Sequence, residues 1–257
     1  MIRAAAALVL GLAAAAPQVA GAQAELDRCA VRAQLLLLPE DLAELDAAPA
    51  GALTVTGGYT SAETRDAPPG IAPSDAEGDE TGPPQVPAPV GLLVSRGRVV
   101  GRQLARMDGI ALIAPDGALR ITPRDRLAAD LSDPAARAGY LRGLAQTGGG
   151  IFQSHLLIRD GALDLRARQD APRAVRRLLL QYADGTHGLW QSPEALTLHE
   201  AAERALAETA PAMALNLDMG GHDFCERQDE TVPQPCGLVG REGLERFSSL
   251  LRLIPAC

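Results

Sequence analysis

Apolar and polar residues follow two rhythms along this chain. Most of it alternates with the two-residue period of a strand, and the alternating stretches come in pairs joined by tight-turn dipeptides. Ala52–Thr56 alternates, carries β-branched residues and predicts a strand ending at Gly57-Gly58-Tyr59. Gly91–Ser95 turns at Arg96-Gly97 into Arg98–Val100. Ile110–Ile113 turns at Asp116-Gly117 into Ala118–Ile121, and His155–Ile158 turns at Asp160-Gly161 into Ala162–Leu165. Arg176–Gln181 turns at Asp184-Gly185 toward Gly188-Leu189-Trp190. Asp-Gly is a strong hairpin marker because glycine supplies the positive φ that tight turns need.

The second rhythm is helical. Asp133–Ala145 reads as a helix capped by Asp133 with Pro134 in its first turn. Ser192-Pro193-Glu194 predicts the start of another helix, running to about Thr209 with Leu198, Ala201, Ala202, Ala205 and Leu206 on one face. It feeds the strand Met213–Leu217, the one clear β-α-β passage. Arg241–Leu253 predicts a last amphipathic helix. The apolar block Leu35–Leu38 is left open between a strand and a buried helical turn. The fold class expected is α+β, or mixed α/β: a hairpin-rich, largely antiparallel or mixed sheet with a few packed helices, in a single domain.

Two segments stand outside these rhythms. Residues 1–24 have the form of a cleavable signal peptide: Arg3, an Ala/Leu/Val run, then Ala22-Gln23-Ala24 before Glu25. The run is too short for a comfortable membrane span, so a periplasmic or secreted product is expected, with residues 25–257 as the domain and no membrane span. Residues 61–89 hold prolines and acids with almost no large apolar side chain, which predicts a long surface loop within the domain.

Charge narrows the chemistry. The formal net charge is −8 at pH 7, which gives nucleic acid no basic footprint. All 24 basic residues other than histidine are arginine, so a P-loop lysine and Schiff-base chemistry are excluded. Four cysteines in an exported chain suggest two disulfides. Of the three pairings, Cys225–Cys236, closing a short polar loop, and Cys29–Cys257, tying the termini, are favoured. The spacing does not suit structural zinc, the four histidines show no HExxH pairing, and no metal or cofactor is expected.

The candidate chemistry gathers at Ala214–Asp223, where an apolar strand runs into Asn216, Asp218, Met219, Gly220, Gly221, His222 and Asp223. Asn216 and Asp218 share a face of the strand. They could form an Asx-type turn with Gly220, or present a carboxylate for acid–base work at the strand's mouth. Glu200, with Thr197 one turn before it, lies on the preceding helix. Arg176 and Arg177 open a strand, and one of them must face inward, where it could hold an anion.

Several of these stretches, in this order, resemble the phosphodiester glycosidase family. They are Thr56-Gly57-Gly58-Tyr59, Pro89-Val90-Gly91 before a hairpin, Arg176 ahead of Asp184-Gly185, Thr197-Leu198-His199-Glu200-Ala201, and Asn216-Leu217-Asp218. The resemblance spans roughly Leu53 to Asp223. Thr56 stands where the family has Asn, and Met219 and His222 interrupt its glycine-rich strand end. The resemblance implies hydrolysis of a sugar-1-phosphodiester of the N-acetylglucosamine type, with a link to exopolysaccharide or cell-envelope glycan. Its implied catalytic residues are Asp218, Glu200 and Arg176, the last holding the phosphate. The implied substrate-binding residues are Gly57, Gly58, Tyr59, Thr197, Asn216, Gly220 and His222, with the glycines letting backbone approach the ligand. The alternative is a non-catalytic periplasmic protein that binds a sugar phosphate or glycan.

Overall fold

The computed structural model describes residues 26–64, 85–219, 222–229 and 232–257. The expected signal peptide and the middle of the proline-rich segment lie outside them. Three antiparallel sheets share one core. The first has the order β1 (Leu26–Cys29), β14 (His187–Gln191), β13 (Arg177–Gln181), β15 (Met213–Asn216), β11 (Leu156–Arg159) and β12 (Ala162–Leu163). The second runs β7 (Arg98–Gly101), β6 (Leu93–Ser95), β10 (Gly150–Ser154), β8 (Gly109–Ile113) and β9 (Leu119–Pro123). The third runs β17 (Pro233–Pro235), β16 (Cys225–Gln228), β3 (Leu53–Thr56), β18 (Ser249–Pro255) and β2 (Val31–Leu37). A two-stranded ribbon pairs β4 (Thr60–Thr64) with β5 (Gln85–Pro89), so the two ends of the expected loop are strands.

One face of each sheet points at a common centre. Leu179 and Leu215 of the first sheet, Ala111 and Phe152 of the second, and Val55 and Leu251 of the third belong to one buried cluster. The opposite faces are covered as well. Leu178, Leu180 and Ala214 pack under α2 (Leu198–Thr209), while Val94, Ile110 and Ile151 pack with Leu141 of α1 (Pro134–Thr147). Leu36 and Leu250 pack with Leu45, Leu244 and Phe247. Because both faces are buried, alternation gives way to continuous apolar runs, as in Leu35-Leu36-Leu37 and Leu178-Leu179-Leu180.

This double burial explains the largest departure from expectation. The predicted C-terminal helix is instead a short 3-10 turn, Arg241–Arg246, followed by β18, an inner strand between β3 and β2. Leu251 and Leu253 enter the common core and Leu250 the outer cluster. Arg252, 1% exposed, donates to Thr54 Oγ1 at 3.3 Å and to the Glu44 carbonyl at 2.7 Å. The fold is therefore mostly β rather than a balance of helix and sheet.

Helix starts follow capping chemistry. Asp133 caps α1 as expected, its carboxylate accepting from Ala135 and Ala136 N–H. α2 begins at Leu198 and not near Ser192, because Thr197 and Glu200 form a capping box; Leu196 bridges to Ala174 instead. The strands flanking α2 both run antiparallel to β13, so β14 and β15 are parallel to each other, and the β-α-β passage holds with β13 between its strands.

The expected hairpins form, with different turns under similar sequences. Arg96-Gly97 and Asp160-Gly161 have positive φ at both residues (49° and 75°, 53° and 75°). That is the backbone of a two-residue type I′ turn. At Asp116-Gly117 and Asp184-Gly185 only the glycine is positive.

Candidate active site

The site lies where the ends of β3 and β15 come side by side. Asp218 N–H donates to the Gly57 carbonyl at 3.3 Å, joining the two ends. Thr56 Oγ1 donates to the His222 carbonyl and accepts from Phe224 N–H at 3.1 Å, which folds residues 222–224 back over β3. The Asp218 carboxylate accepts from Thr60 N–H at 3.1 Å and Met219 N–H at 3.0 Å. His222 Nδ1 stands 3.9 Å from Asp218 Oδ2, with the ring edge-on to Phe247. Asn216 Nδ2 donates to Tyr59 Oη and, at 2.9 Å, to the Leu217 carbonyl. Its Oδ1 is buried without a hydrogen-bond partner among the described residues.

Burial sets the electrostatics. It pushes the Asp218 carboxyl up to about 6, against the opposing pull of His222 and the two N–H donors. Burial and then the Asp218 charge push Tyr59 up to about 12, so this phenol stays protonated. The Arg176 guanidinium is close enough to Tyr59 to act on it electrostatically, and its own pKa is lowered by desolvation. Arg176 Nε donates to the Leu196 carbonyl at 2.9 Å and Nη2 to the Pro172 carbonyl at 2.7 Å. Arg177, on the other face of β13, is fully buried, 2.8 Å from Asp223, and donates to Gln191 and to the Phe224 carbonyl. The inward anion-holder expected of this pair is divided: Arg177 is committed to Asp223, and Arg176 lies by Tyr59.

The structure thus gathers Tyr59, Arg176, Asn216, Asp218 and His222. Glu200 is not among them. Its carboxylate accepts from Thr197 N–H at 2.8 Å and from Arg173 at 2.8 Å, and these hydrogen bonds bring it down to about 2. Thr197 returns the capping bond through its hydroxyl. Both residues are taken up by the start of α2. A Cβ placed on Gly57 would sit 3.5 Å from Leu251 N, and one on Gly58 3.5 Å from Phe152 Cβ. At both glycines an added side chain would therefore point toward a neighbouring strand. Gly220 lies outside the described residues. Cys225–Cys236 is a disulfide, whereas Cys29 and Cys257 are separate thiols.

Two participants carry no local sequence mark. Thr60 is defined only by β4 reaching Asp218. His155, between β10 and β11, meets the Tyr59 ring edge-on at 5.6 Å, and burial lowers its pKa. On its other side a cleft of about 580 Å³ is lined by Arg106, Asp108, Arg124, His155, Asp164 and Leu198. Burial, and then the Asp108 charge, raise the Asp164 carboxyl. Among the described residues, no three His, Cys, Asp or Glu side chains are grouped to hold a metal, and no helix is long and apolar enough to cross a membrane.

No protein-family model and no curated protein matches the chain. Solved structures do, at the level of fold. One is the zebrafish N-acetylglucosamine-1-phosphodiester alpha-N-acetylglucosaminidase catalytic domain, auto-inhibited by its pro-peptide. It is 13% identical, with TM-score 0.48, over 89% of this chain and 73% of that one. Another is a hypothetical protein from Synechocystis, also 13% identical, with TM-score 0.43, over 88% of this chain and 57% of that one.

Proposed function

We propose that the chain is an exported hydrolase that cleaves a sugar-1-phosphodiester, with Asp218 as its essential carboxylate. One observation carries the reading: a buried carboxylate with its pKa raised to about 6 sits at a strand mouth between a protonated phenol, an imidazole and a nearby arginine. Raised carboxyls at such mouths are suited to proton transfer or nucleophilic attack near neutral pH. The family resemblance of Asn216-Leu217-Asp218 and of Arg176 supplies the substrate class.

In this reading Asp218 is ionised above pH 6 and acts at the anomeric carbon, either by deprotonating the attacking water or by attacking first, in which case water then hydrolyses the glycosyl ester and frees the sugar and the carboxylate. The bond from that carbon to the phosphate oxygen breaks, and the phosphate monoester leaves with the electron pair. Phosphate needs little protonation to leave, so one carboxylate suffices and Glu200 is not required. Arg176 offers Nη1 to the phosphodiester anion. Asn216 Oδ1, without a partner in its buried position, is available to a sugar hydroxyl. The Cys225–Cys236 disulfide supports an oxidising, periplasmic or secreted setting.

The test is release of sugar from an N-acetylglucosamine-1-phosphodiester by the purified chain. Turnover that survives unchanged in Asp218→Asn overturns the role given to that residue. The single carboxylate also favours a second reading, a sugar-phosphate-binding protein without turnover. Calorimetric binding of sugar phosphate with no product formed selects it.

A further inference from the structure

The two separate cysteines are not separate in space. β18 and β2 pair in continuous antiparallel register from Ser249 opposite Leu37 to Pro255 opposite Val31. The pairing goes on past the strand: Ala256 N–H donates to the Ala30 carbonyl at 2.8 Å. One residue further, the same register sets Cys257 opposite Cys29, close enough for the Cys257 thiol to act electrostatically on the Cys29 thiol. Directly opposed residues on antiparallel strands bring their Cβ atoms to about 4.5–5.5 Å, close to disulfide reach. Cys29 also ends β1, so the pair stands where the chain passes from the first sheet to the third.

We propose that Cys29 and Cys257 are a reversible dithiol–disulfide pair, a second crosslink that clasps the β1–β2 corner to the last strand. Access fixes the order of steps. Cys257 is exposed and Cys29 is buried, so an external disulfide, small-molecule or protein, meets Cys257 first. The Cys257 thiol gives up its proton and its sulfur attacks the external disulfide, breaking that S–S bond and releasing one thiolate. Cys29 then loses its proton and attacks Cys257 Sγ, expelling the second thiolate. The balance is one external disulfide reduced to two thiols and one internal disulfide formed. Burial raises the Cys29 thiol above its ordinary value, which makes the second step the slower one near neutral pH. The crosslink would enclose almost the whole chain, so it restricts the unfolded state strongly.

The experiment uses the full chain and oxidised glutathione. Mild reduction that spares Cys225–Cys236 should leave two titratable thiols, and oxidised glutathione should remove both without leaving glutathione on the protein. Peptide mapping without reduction should then join Cys29 to Cys257. The oxidised form should melt about 5–10 °C above the reduced one. In Cys29→Ser, Cys257 should retain glutathione as a stable mixed disulfide. The exposed-side variant Cys257→Ser covers the case where Cys29→Ser does not fold, and its remaining thiol should react slowly or not at all. Wild type that keeps bound glutathione on Cys257, keeps both thiols, or joins Cys29 to another cysteine overturns the proposal. None of these readouts depends on the hydrolase reading.

Discussion

Two carboxylates fall on candidate positions one helix apart, and their surroundings send them in opposite directions. Asp218, at the end of β15, is buried, and desolvation lifts it to about 6. Glu200, in the first turn of α2, is half-exposed and hydrogen-bonded by Thr197 and Arg173, which lower it to about 2. Asp218 holds its ionised form at a cost, while Glu200 is stabilised in it. A group that must gain or lose a proton near neutral pH needs the first environment. A group that completes a helix start needs the second. Local spacing near an apolar strand or helix does not separate the two; burial does.

The largest expected effect tests that division directly. In Asp218→Asn, kcat/KM on the sugar-1-phosphodiester should fall about 10³-fold, while Glu200→Gln stays within about twofold of wild type. Equal losses in the two variants would break the comparison. The pH profile sharpens it: wild-type activity should rise through about pH 6, as Asp218 ionises, and be small at pH 5. A limb near pH 4 would indicate a carboxylate that burial has not shifted.

The same variant should reverse sign in stability. The pKa of Asp218 rises on folding from 3.8 to about 6. The group therefore contributes most to stability below pH 3.8, and that contribution is lost as pH rises through 6. Replacing it with a neutral isostere should make the protein more stable than wild type at pH 7–8, by about 3 kcal/mol. The advantage should vanish below pH 4, as followed by urea unfolding at several pH values. No stabilisation at pH 8 would mean that the burial cost of the Asp218 charge is offset in the folded state.

A smaller effect is expected at Tyr59. Tyr59→Phe removes the hydroxyl that accepts from Asn216 Nδ2 but keeps the ring against His155. It should lower kcat/KM about tenfold, roughly the cost of one lost hydrogen bond in a buried network. An unchanged value would place Tyr59 in packing alone.

What could be read in the sequence follows the range of the interactions. The hairpins were legible because turn residues and their strands are neighbours in the chain. Asn216 and Asp218 were legible for the same reason: an apolar strand ending in polar residues is a local pattern. The end strand β18 was not. With Leu250 facing outward, Leu251 and Leu253 inward, and Arg252 buried on backbone and Thr54, its pattern mimics an amphipathic helix, and only pairing with β2 and β3 decides otherwise. The partners of Asp218 were equally hidden. Thr60 reaches it from the start of β4 and His155 reaches Tyr59 from the end of β10, both set by sheet topology over more than ninety residues of chain.

The smallest effect tests the other half of the comparison, the helix start. Ser192-Pro193-Glu194 and Thr197-x-x-Glu200 both look like beginnings of α2, and reciprocal bonding decides between them. Thr197→Ala removes the side-chain cap and should cost about 1 kcal/mol, a drop of about 2–4 °C in Tm. Ser192→Ala should not act through the helix, because Ser192 Oγ instead accepts from Arg176 N–H at 2.8 Å and donates to the Glu194 carbonyl. Its loss should show in the placement of Arg176, as a higher KM for the phosphodiester with little change in kcat. Glu200→Gln keeps an acceptor for the Thr197 N–H and should move Tm by about 1 °C or less. If Glu200→Gln instead raised Tm at pH 7, Glu200 would be a strained charge like Asp218, and the contrast between the two carboxylates would fail at its weaker end.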